Sequence, residues 1–289
     1  MKKKFNGKGI FIVMVIIAFL LVVAAVIVNV KINGMPGETS ARNPIEVKQL
    51  NENTWLMNDN NESTGYVVVG EDKAAVIDTM NGYEDVQAVA RTITDLPIIV
   101  INTHGHMDHI YGDAYFGEAY LHPDDFALAE ETLTYRMYRK LEKKFDFEPV
   151  HFVETKEGDV FDLGGISLEV YEIRGHTSGS ICLLDRKNRV LFTGDAINRH
   201  CWLQLPDSLP MDECYQSLEN LQKIRTEYDY ILHGHAQDFD DASLYEEMMA
   251  AVKEVRDGVR DGDTEYEYFG GTCMQHPFPE GEGVIVYNE

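Results

Sequence analysis

The chain has 289 residues, and its 49 acidic and 25 basic side chains give a formal net charge of −24 at pH 7. Such an acidic protein repels phosphate backbones, which excludes nucleic acid as a bulk partner. The length allows one large hydrophobic core. The four cysteines form no CxxC pair and predict no particular disulfide.

The chain begins with a basic segment and an uncharged apolar run. Four lysines lie among the first eight residues, and the 19 residues 10–28 carry no charge. A helix of that length extends about 28 Å, close to the bilayer core of about 30 Å. The positive-inside rule then predicts a membrane anchor, residues 1–31, with a cytoplasmic N-terminus and an extracytoplasmic remainder. The alternative is a cleaved signal peptide and a secreted protein, although its apolar core would be shorter.

Beyond the anchor, the sequence predicts a linker and one domain. Residues 32–44 are rich in Gly, Pro, Asn and Ser and are predicted to be flexible. Residues 45–289 form the predicted domain, including a C-terminal extension over residues 264–289. Without the five lysines of residues 1–31, the remainder carries a net charge of −29.

Apolar periodicity predicts alternating strands and helices along the domain. In the first half, strands are predicted at 45–50, 54–57, 65–69, 74–77 and 98–101, with helices at 86–93 and 123–144. In the second half, strands are predicted at 160–163, 166–173, 181–184, 190–193, 230–232 and 284–287, with helices at 211–227 and 242–259. Two successive sets of strands followed by helices predict two sheets packed face to face with helices outside.

Four side chains able to bind metal are crowded into the loop that follows the predicted strand 98–101. His104, His106, Asp108 and His109 lie within six residues. Imidazole nitrogen and carboxylate oxygen suit zinc, iron or manganese. A lone histidine on a loop is usually solvated, but burying so many polar rings without a partner would cost several kcal/mol. The cluster therefore predicts a metal site.

Three further segments place a His or an Asp just past the end of a predicted strand. They are the motifs GHTSGS at 175–180, TGD at 193–195 and HGH at 233–235. Loops at the ends of separate strands are where a rigid scaffold can gather ligands into one site.

The series HxHxDH, GHTxGS, TGD and GH, in this order and with these gaps, resembles the metallo-β-lactamase-fold superfamily of metallohydrolases. The resemblance covers the chain from about Ile45 to the last predicted long helix. It implies an α/β (α+β) fold, a four-layer αββα sandwich, here preceded by one transmembrane helix. It also implies a dinuclear metal site along one edge of the sandwich.

The same resemblance implies a ligand for each metal position. The residues of the first metal would be His104, His106 and His176. The residues of the second would be Asp108, His109 and His235. Asp195 would bridge both.

Two neighbours of the ligands are predicted to support them. Asp78 matches a position that braces the histidine loop, and a ligating imidazole usually donates its other N–H to an acceptor. In the HGH motif, the family's ligand follows the glycine. This selects His235 as the ligand and leaves His233 beside the site.

The implied activity is metal-dependent hydrolysis of an ester, thioester, lactone, amide or phosphoester bond in a small substrate. Two divalent ions, expected to be Zn²⁺ with Fe or Mn as alternatives, would acidify a water molecule into the nucleophile. Asp108 is expected to take the proton from that water as well as binding metal. Two other classes stay open: a mononuclear-iron oxidoreductase similar to sulfur dioxygenases, and a catalytically silent binding or sensor module.

Four residues near the ligands are candidates for substrate contact. Arg199, His200 and Trp202 closely follow Asp195, where a loop would overhang the metal centre, and packing is the alternative for Trp202. The phenol of Tyr111 would either reach the site or pack over it. The other histidines are expected at a strand end, on the surface or in the tail: His122, His151 and His276. The substrate and the oligomeric state stay open.

Overall fold

The computed structural model describes residues 43–288. The predicted membrane anchor and most of the predicted linker therefore lie outside the described residues. Among residues 43–288, no helix combines the length and the apolar character needed to cross a bilayer.

The strands of the first half form one seven-stranded sheet in chain order. They are β1 (Glu46–Gln49), β2 (Thr54–Asp59), β3 (Ser63–Val69), β4 (Ala74–Ile77), β5 (Ile98–Ile101), β6 (Glu118–Leu121) and β7 (His151–Glu154). Strands β6 and β7 were not predicted. Both are short strands of four residues, and β7 is largely exposed, so they lack a buried apolar run.

The strands of the second half form two sheets. They are β8 (Val160–Asp162), β9 (Ser167–Glu172), β10 (Ile181–Asp185), β11 (Val190–Gly194), β12 (His200–Trp202), β13 (Tyr230–His233), β14 (Asp240–Asp241), β15 (Thr264–Tyr268), β16 (Gly271–Pro277) and β17 (Val284–Tyr287). The six-stranded sheet has the order β14-β13-β11-β10-β9-β8, and the four-stranded sheet has the order β12-β17-β16-β15.

Helices connect the strands. They are α1 (Val86–Arg91), α2 (Met107–Ile110), α3 (Phe126–Thr132), α4 (Arg136–Phe145), α5 (Met211–Leu221) and α6 (Leu244–Arg256). Helix α1 begins at Asp85, whose side chain accepts from the amide of Ala88 and so satisfies one free N–H of the first turn. The helix predicted over 123–144 is interrupted between α3 and α4, and the one over 211–227 tightens into a 3₁₀ turn after α5.

The two larger sheets pack face to face around one apolar core. Tyr66 and Ile77 of the first sheet share a buried cluster with Val170, Phe192 and Leu232 of the second. Helix α1 packs on the outer face of the first sheet. Helices α5 and α6 pack on the outer face of the second. The mixed α/β fold with several sheets is confirmed, and its layers run helix, sheet, sheet, helix.

The third sheet is the main addition to the predicted architecture, since only β17 was expected. Its inner face packs on α6 through side chains such as Ile285 and Tyr287. Strand β12 pairs in parallel with β17, which ties the segment just after Asp195 to the C-terminal end of the chain.

One histidine fastens this sheet to α6. His276 on β16 lies in the predicted C-terminal extension, but it is only 1% exposed, so the alternative of a surface position is wrong. Its ring nitrogens lie 2.5 Å from a carboxylate oxygen of Asp263 and 3.0 Å from one of Glu254 on α6. The hydroxyl of Tyr287 donates to the other oxygen of Asp263. In this polar clamp, the imidazole of His276 and the carboxylate of Asp263 are buried and both have polar partners, whereas Glu254 is 38% exposed.

We expect the substitution His276→Ala to lower the free energy of unfolding by about 3 kcal/mol, because it removes one of the partners of the buried Asp263 carboxylate. Urea denaturation followed by circular dichroism measures this change. The matched control is His151→Ala, whose exposed ring contacts an equally exposed Glu118 and should change stability by less than about 0.5 kcal/mol. Equal effects of the two substitutions would contradict a stabilising clamp.

Candidate metal centre

The predicted metal ligands of the first half follow strands that end at the same edge of the first sheet. Strands β4 and β5 are parallel, with Ile77 opposite Ile101. Asp78 directly follows β4, and the loop carrying His104 and His106 directly follows β5. Asp108 and His109 lie on the short helix α2 that continues this loop.

The ligands of the second half reach the same region because three strands of the second sheet run in one direction. Strand β10 is antiparallel to both β9 and β11, and β11 is parallel to β13. His176, Asp195 and His235 lie beyond the C-terminal ends of β9, β11 and β13. The directions of the strands therefore deliver three side chains from distant parts of the chain to one edge.

All seven predicted ligands come together there. They form three overlapping groups, in each of which one ligand atom per residue lies within 4.8 Å of the others. The groups are His104, His106 and His176; His104, His109 and Asp195; and Asp108, His109 and His235. The first and third groups contain the residues of the two predicted sets. The second group shares His104 with the first and His109 with the third, and it adds Asp195.

Hydrogen bonds turn the free nitrogen of His104 toward the centre. The hydroxyl of Thr103 donates its only hydrogen to Asp78 at 2.8 Å, so it accepts from Nδ1 of His104 at 3.0 Å. Nε2 of His104 is then left with its lone pair, and it is buried without any hydrogen-bond partner. An unpaired buried acceptor of this kind costs free energy unless a ligand occupies it.

The same reasoning applies to the other two histidines of the first group. Nδ1 of His176 donates to the carbonyl oxygen of Trp202 at 2.7 Å, and Nε2 of His106 donates to a carboxylate oxygen of Asp207 at 2.7 Å. Nε2 of His176 and Nδ1 of His106 therefore face each other at 2.9 Å. In neutral rings these atoms both carry lone pairs, whose repulsion a cation between them would relieve.

His109 belongs to the second and third groups, and Asp78 acts on it directly. Nδ1 of His109 lies 2.9 Å from Asp78, while Nε2 is buried without a hydrogen-bond partner. That Nε2 is 3.6 Å from Asp195 and 3.8 Å from Asp108. Nε2 of His235 lies 3.1 Å from the same oxygen of Asp195. Two imidazoles and two carboxylates thus converge on one point.

Burial and neighbouring charges divide the histidines into two kinds. Burial, with neighbouring imidazoles, lowers the pKa of His104 well below its ordinary value and that of His176 to about 4, so both are neutral at pH 7. Burial also opposes protonation of His109 and His235, but the surrounding carboxylates outweigh it. They raise the pKa of His109 and bring that of His235 to about 9. Burial disfavours ionised Asp195, yet His235 and His109 hold its pKa well below the ordinary value.

These residues fit divalent metal ions. Nε2 of His104 and Nε2 of His176 are unprotonated and point inward, which is the state that a metal requires of imidazole. The other two groups add carboxylate oxygens, a donor set suited to zinc, iron or manganese. The roles of the individual residues as ligands stay predictions.

His233 lies beside the centre and is turned away from it. Its Nδ1 accepts from the backbone N–H of His235 at 3.2 Å, and its Nε2 lies 3.1 Å from Asp240. The glycine between the two histidines is required by close packing. A Cβ at Gly234 would overlap a carboxylate oxygen of Asp195.

Two predicted substrate contacts have other roles in the structure. Tyr111 is completely buried, and its hydroxyl donates to the carbonyl oxygen of Thr132. It therefore packs in the core rather than contacting a substrate. The guanidinium of Arg199 lies 2.6 Å from Asp240 and donates to the backbone of Glu282, so its donors are used in structural contacts.

The other two candidates adjoin the ligands. Trp202 is partly buried, and its backbone carbonyl holds His176. The ring of His200 is 6.3 Å from that of Trp202. Burial lowers the pKa of His200, and the nearby charge of His235 lowers it further to a smaller extent.

Sequence reasoning missed Asp125, which holds two ligand loops together. Its fully buried carboxylate accepts from the backbone N–H of Gly105, the backbone N–H of Gly179 and the hydroxyl of Thr177. Gly105 separates His104 from His106, and the other two donors, Thr177 and Gly179, follow His176 in its loop. Burial raises the pKa of Asp125, while these three donors oppose that rise.

Asp207 was also missed. It lies in the irregular segment between β12 and α5 and accepts from His106. The prolines Pro206 and Pro210 on either side indicate a loop but give no sign of which ligand the loop touches. Contacts of this kind depend on tertiary structure and have no local pattern.

Comparisons with known proteins agree with this geometry. A family model described as the metallo-beta-lactamase superfamily matches residues 59–235. The acyl-coenzyme A thioesterase MBLAC2 of Gallus gallus is 30% identical over 168 residues, which cover 52% of this chain and 60% of that protein. An uncharacterised protein of Mycobacterium tuberculosis is 36% identical over 115 residues, which cover 35% of this chain and 51% of that protein. The chain thus spans little more than half the length of these curated relatives.

Solved structures share the fold. The DIM-1 metallo-beta-lactamase matches with a TM-score of 0.58 at 18% identity, covering 74% of this chain and 100% of that one. A metallo-beta-lactamase from Erythrobacter litoralis matches with a TM-score of 0.56 at 20% identity, covering 74% and 99%.

We expect Asp125→Ala to weaken metal binding about 10- to 100-fold, because the two ligand loops lose their shared acceptor. Competition of the full chain with a chromophoric chelator for Zn²⁺ measures the affinity. Asp124→Ala is the matched control, since the neighbouring carboxylate is exposed and pairs with Arg174 at the surface. An Asp125→Ala protein that folds and binds zinc as tightly as the parent would contradict the bracing role.

Proposed function

Because this chain belongs to the metallo-beta-lactamase superfamily, its fold implies divalent metal ions, and we propose that it is a hydrolase that uses two zinc ions. His104, His106 and His176 would hold one ion. Asp108, His109 and His235 would hold the other, with Asp195 contacting both.

One observation carries this proposal. Every histidine of the first group has one ring nitrogen bonded to a fixed partner outside the centre and turns its other nitrogen toward the centre. A cluster of imidazoles that served only packing would have no reason to leave Nε2 of His104 buried and unpaired. The arrangement therefore supports a bound cation as the missing partner.

The chemistry divides between the metal ions and the chain. Bound divalent ions would acidify a water molecule and polarise the substrate's carbonyl or phosphoryl oxygen. The side chain of Asp108 is 29% exposed, whereas those of the neighbouring Asp195 and Asp78 are 13% and 2% exposed. Asp108 is therefore the carboxylate of this group placed to accept a proton from the attacking water.

For the scissile bond, we propose a carboxylic thioester or the related oxygen ester. The name of the Gallus gallus relative supports a thioester, and it matches this chain over 168 residues. Lactones, amides and phosphoesters would be cleaved by the same chemistry and belong in the test. We propose the type of acyl bond and not coenzyme A as the leaving group, because binding of coenzyme A requires recognition elements beyond the metal centre.

The test is to load the full chain with Zn²⁺, count the metal ions per chain, and screen thioesters, esters, lactones, β-lactams, amides and phosphodiesters. The proposal expects two ions per chain and hydrolysis that a chelator abolishes and zinc restores. Zinc should also raise the melting temperature, because it binds the native state only. One redox-active iron per chain without hydrolysis would overturn the proposal in favour of an oxidoreductase.

We expect Asp108→Ala to lower kcat/KM at least about 100-fold, because the variant loses a proton acceptor and a metal contact. Its circular dichroism spectrum should remain that of the parent. The matched control is Asp238→Ala, whose exposed carboxylate contacts only Lys48 and Phe239 in the described part of the chain. Unchanged turnover in the Asp108→Ala variant would show that the reacting centre lies elsewhere.

A further inference from the structure

Four aromatic side chains form a continuous surface on the third sheet. They are Trp202, Tyr266, Tyr268 and Phe269, called here the aromatic wall. The ring of Trp202 is 6.1 Å from that of Tyr266, 5.8 Å from that of Tyr268 and 5.8 Å from that of Phe269. The rings of Tyr268 and Phe269 are 5.3 Å apart. These distances are those of directly packed aromatic pairs.

Strand register places the wall on the outer face of the sheet. Trp202 pairs with Val286, and Val286 pairs in turn with Gln275, which pairs with Thr264. Tyr266 and Tyr268 lie two and four residues beyond that last position, so they share the face of Trp202. The opposite face packs against the helices. The wall is thus separate from the core on which the sheet rests.

The wall begins at the metal centre. The backbone carbonyl of Trp202 accepts from the ring of His176, a predicted ligand, at 2.7 Å. The ring of His200 lies 5.2 Å from that of Tyr266 and 6.3 Å from that of Trp202. Trp202 therefore connects the predicted metal centre with the wall.

The wall is partly exposed, with Trp202, Tyr266 and Tyr268 half-buried, and it carries no basic side chain. Phe269 is 59% exposed, the highest value among the large hydrophobic residues of the described chain. Strands β15 and β16 contain no lysine or arginine. Contiguous, partly exposed aromatic rings beside a polar centre are suited to an apolar group and not to a phosphate.

We propose that the aromatic wall binds the apolar acyl group of the substrate while the acyl carbon lies at the metal centre. The inference rests on the proposed function in assuming an acyl substrate. The third sheet would then make the protein prefer substrates with longer, apolar acyl chains.

A binding experiment tests the wall without any reaction. The full chain has two tryptophans, so Trp55→Phe leaves Trp202 as the only indole. Straight-chain methyl ketones of increasing length are neutral probes that cannot be hydrolysed. We expect them to change the fluorescence of Trp202, with affinity rising about two- to fourfold for each added methylene group.

Substitutions then locate the binding surface. Phe269→Ser in the same background should flatten the dependence on chain length. Tyr230→Ser is the matched control, because Tyr230 is also an exposed aromatic residue, 45% exposed and packed on Phe239. It should leave ketone binding unchanged. Equal losses in the two variants, or a fluorescence response without dependence on length, would overturn the proposal.

A kinetic series separates this proposal from the proposed function. Thioesters of a neutral thiol with acyl chains of two to ten carbons should show kcat/KM rising with length, and Phe269→Ser should reduce that rise. Ketone binding at the wall with no hydrolysis of any substrate would uphold the wall and defeat the hydrolase. Hydrolysis independent of chain length, without ketone binding, would defeat the wall alone. Binding to phosphatidylcholine vesicles through Phe269, but not to ketones, would also overturn it.

Discussion

The metal centre depends on the buried carboxylate of Asp78. It accepts from the backbone N–H and the hydroxyl of Thr103 and lies 2.9 Å from Nδ1 of His109. The hydroxyl of Thr103 gives its single hydrogen to Asp78, so it can only accept a hydrogen bond from His104. The N–H of that ring is therefore on Nδ1. One carboxylate therefore decides which nitrogen of two imidazoles faces inward. If either ring took the other tautomer, an N–H would point at the position of a cation.

The backbone around Asp78 fixes the position of this buried carboxylate. Asp78 has a φ of 58°, a left-handed conformation that is uncommon outside glycine. Strand β3 passes directly beside it, and a Cβ at Gly65 would overlap the carbonyl oxygen of Asp78. The glycine in β3 thus permits the turn after β4, and that turn aims the carboxylate at the histidine loop.

The sequence predicted the parts of the site that follow from local pattern. The cluster from His104 to His109 lies in one loop, and the other ligands follow apolar strands, whose common direction brings their ends together. Asp125 could not be found in this way, because its partners are two backbone amides and a hydroxyl from other loops. Strands β15 and β16 were missed because their side chains are mostly polar or half-exposed, which conceals the apolar alternation of a buried strand. The family resemblance implied two sheets but not this third one.

Trp202 links the metal centre to the aromatic wall. Its backbone carbonyl orients His176, whereas its indole belongs to the aromatic wall. A backbone contact does not depend on the identity of the side chain, so residue 202 can change its ring without disturbing the tautomer of the histidine. The chemistry at the metal centre and the choice of acyl group can therefore vary separately, although they meet in one residue. The two functions can be separated because they come from different parts of the fold. The predicted ligands follow buried strands of the two large sheets, whereas the aromatic wall lies on the small third sheet.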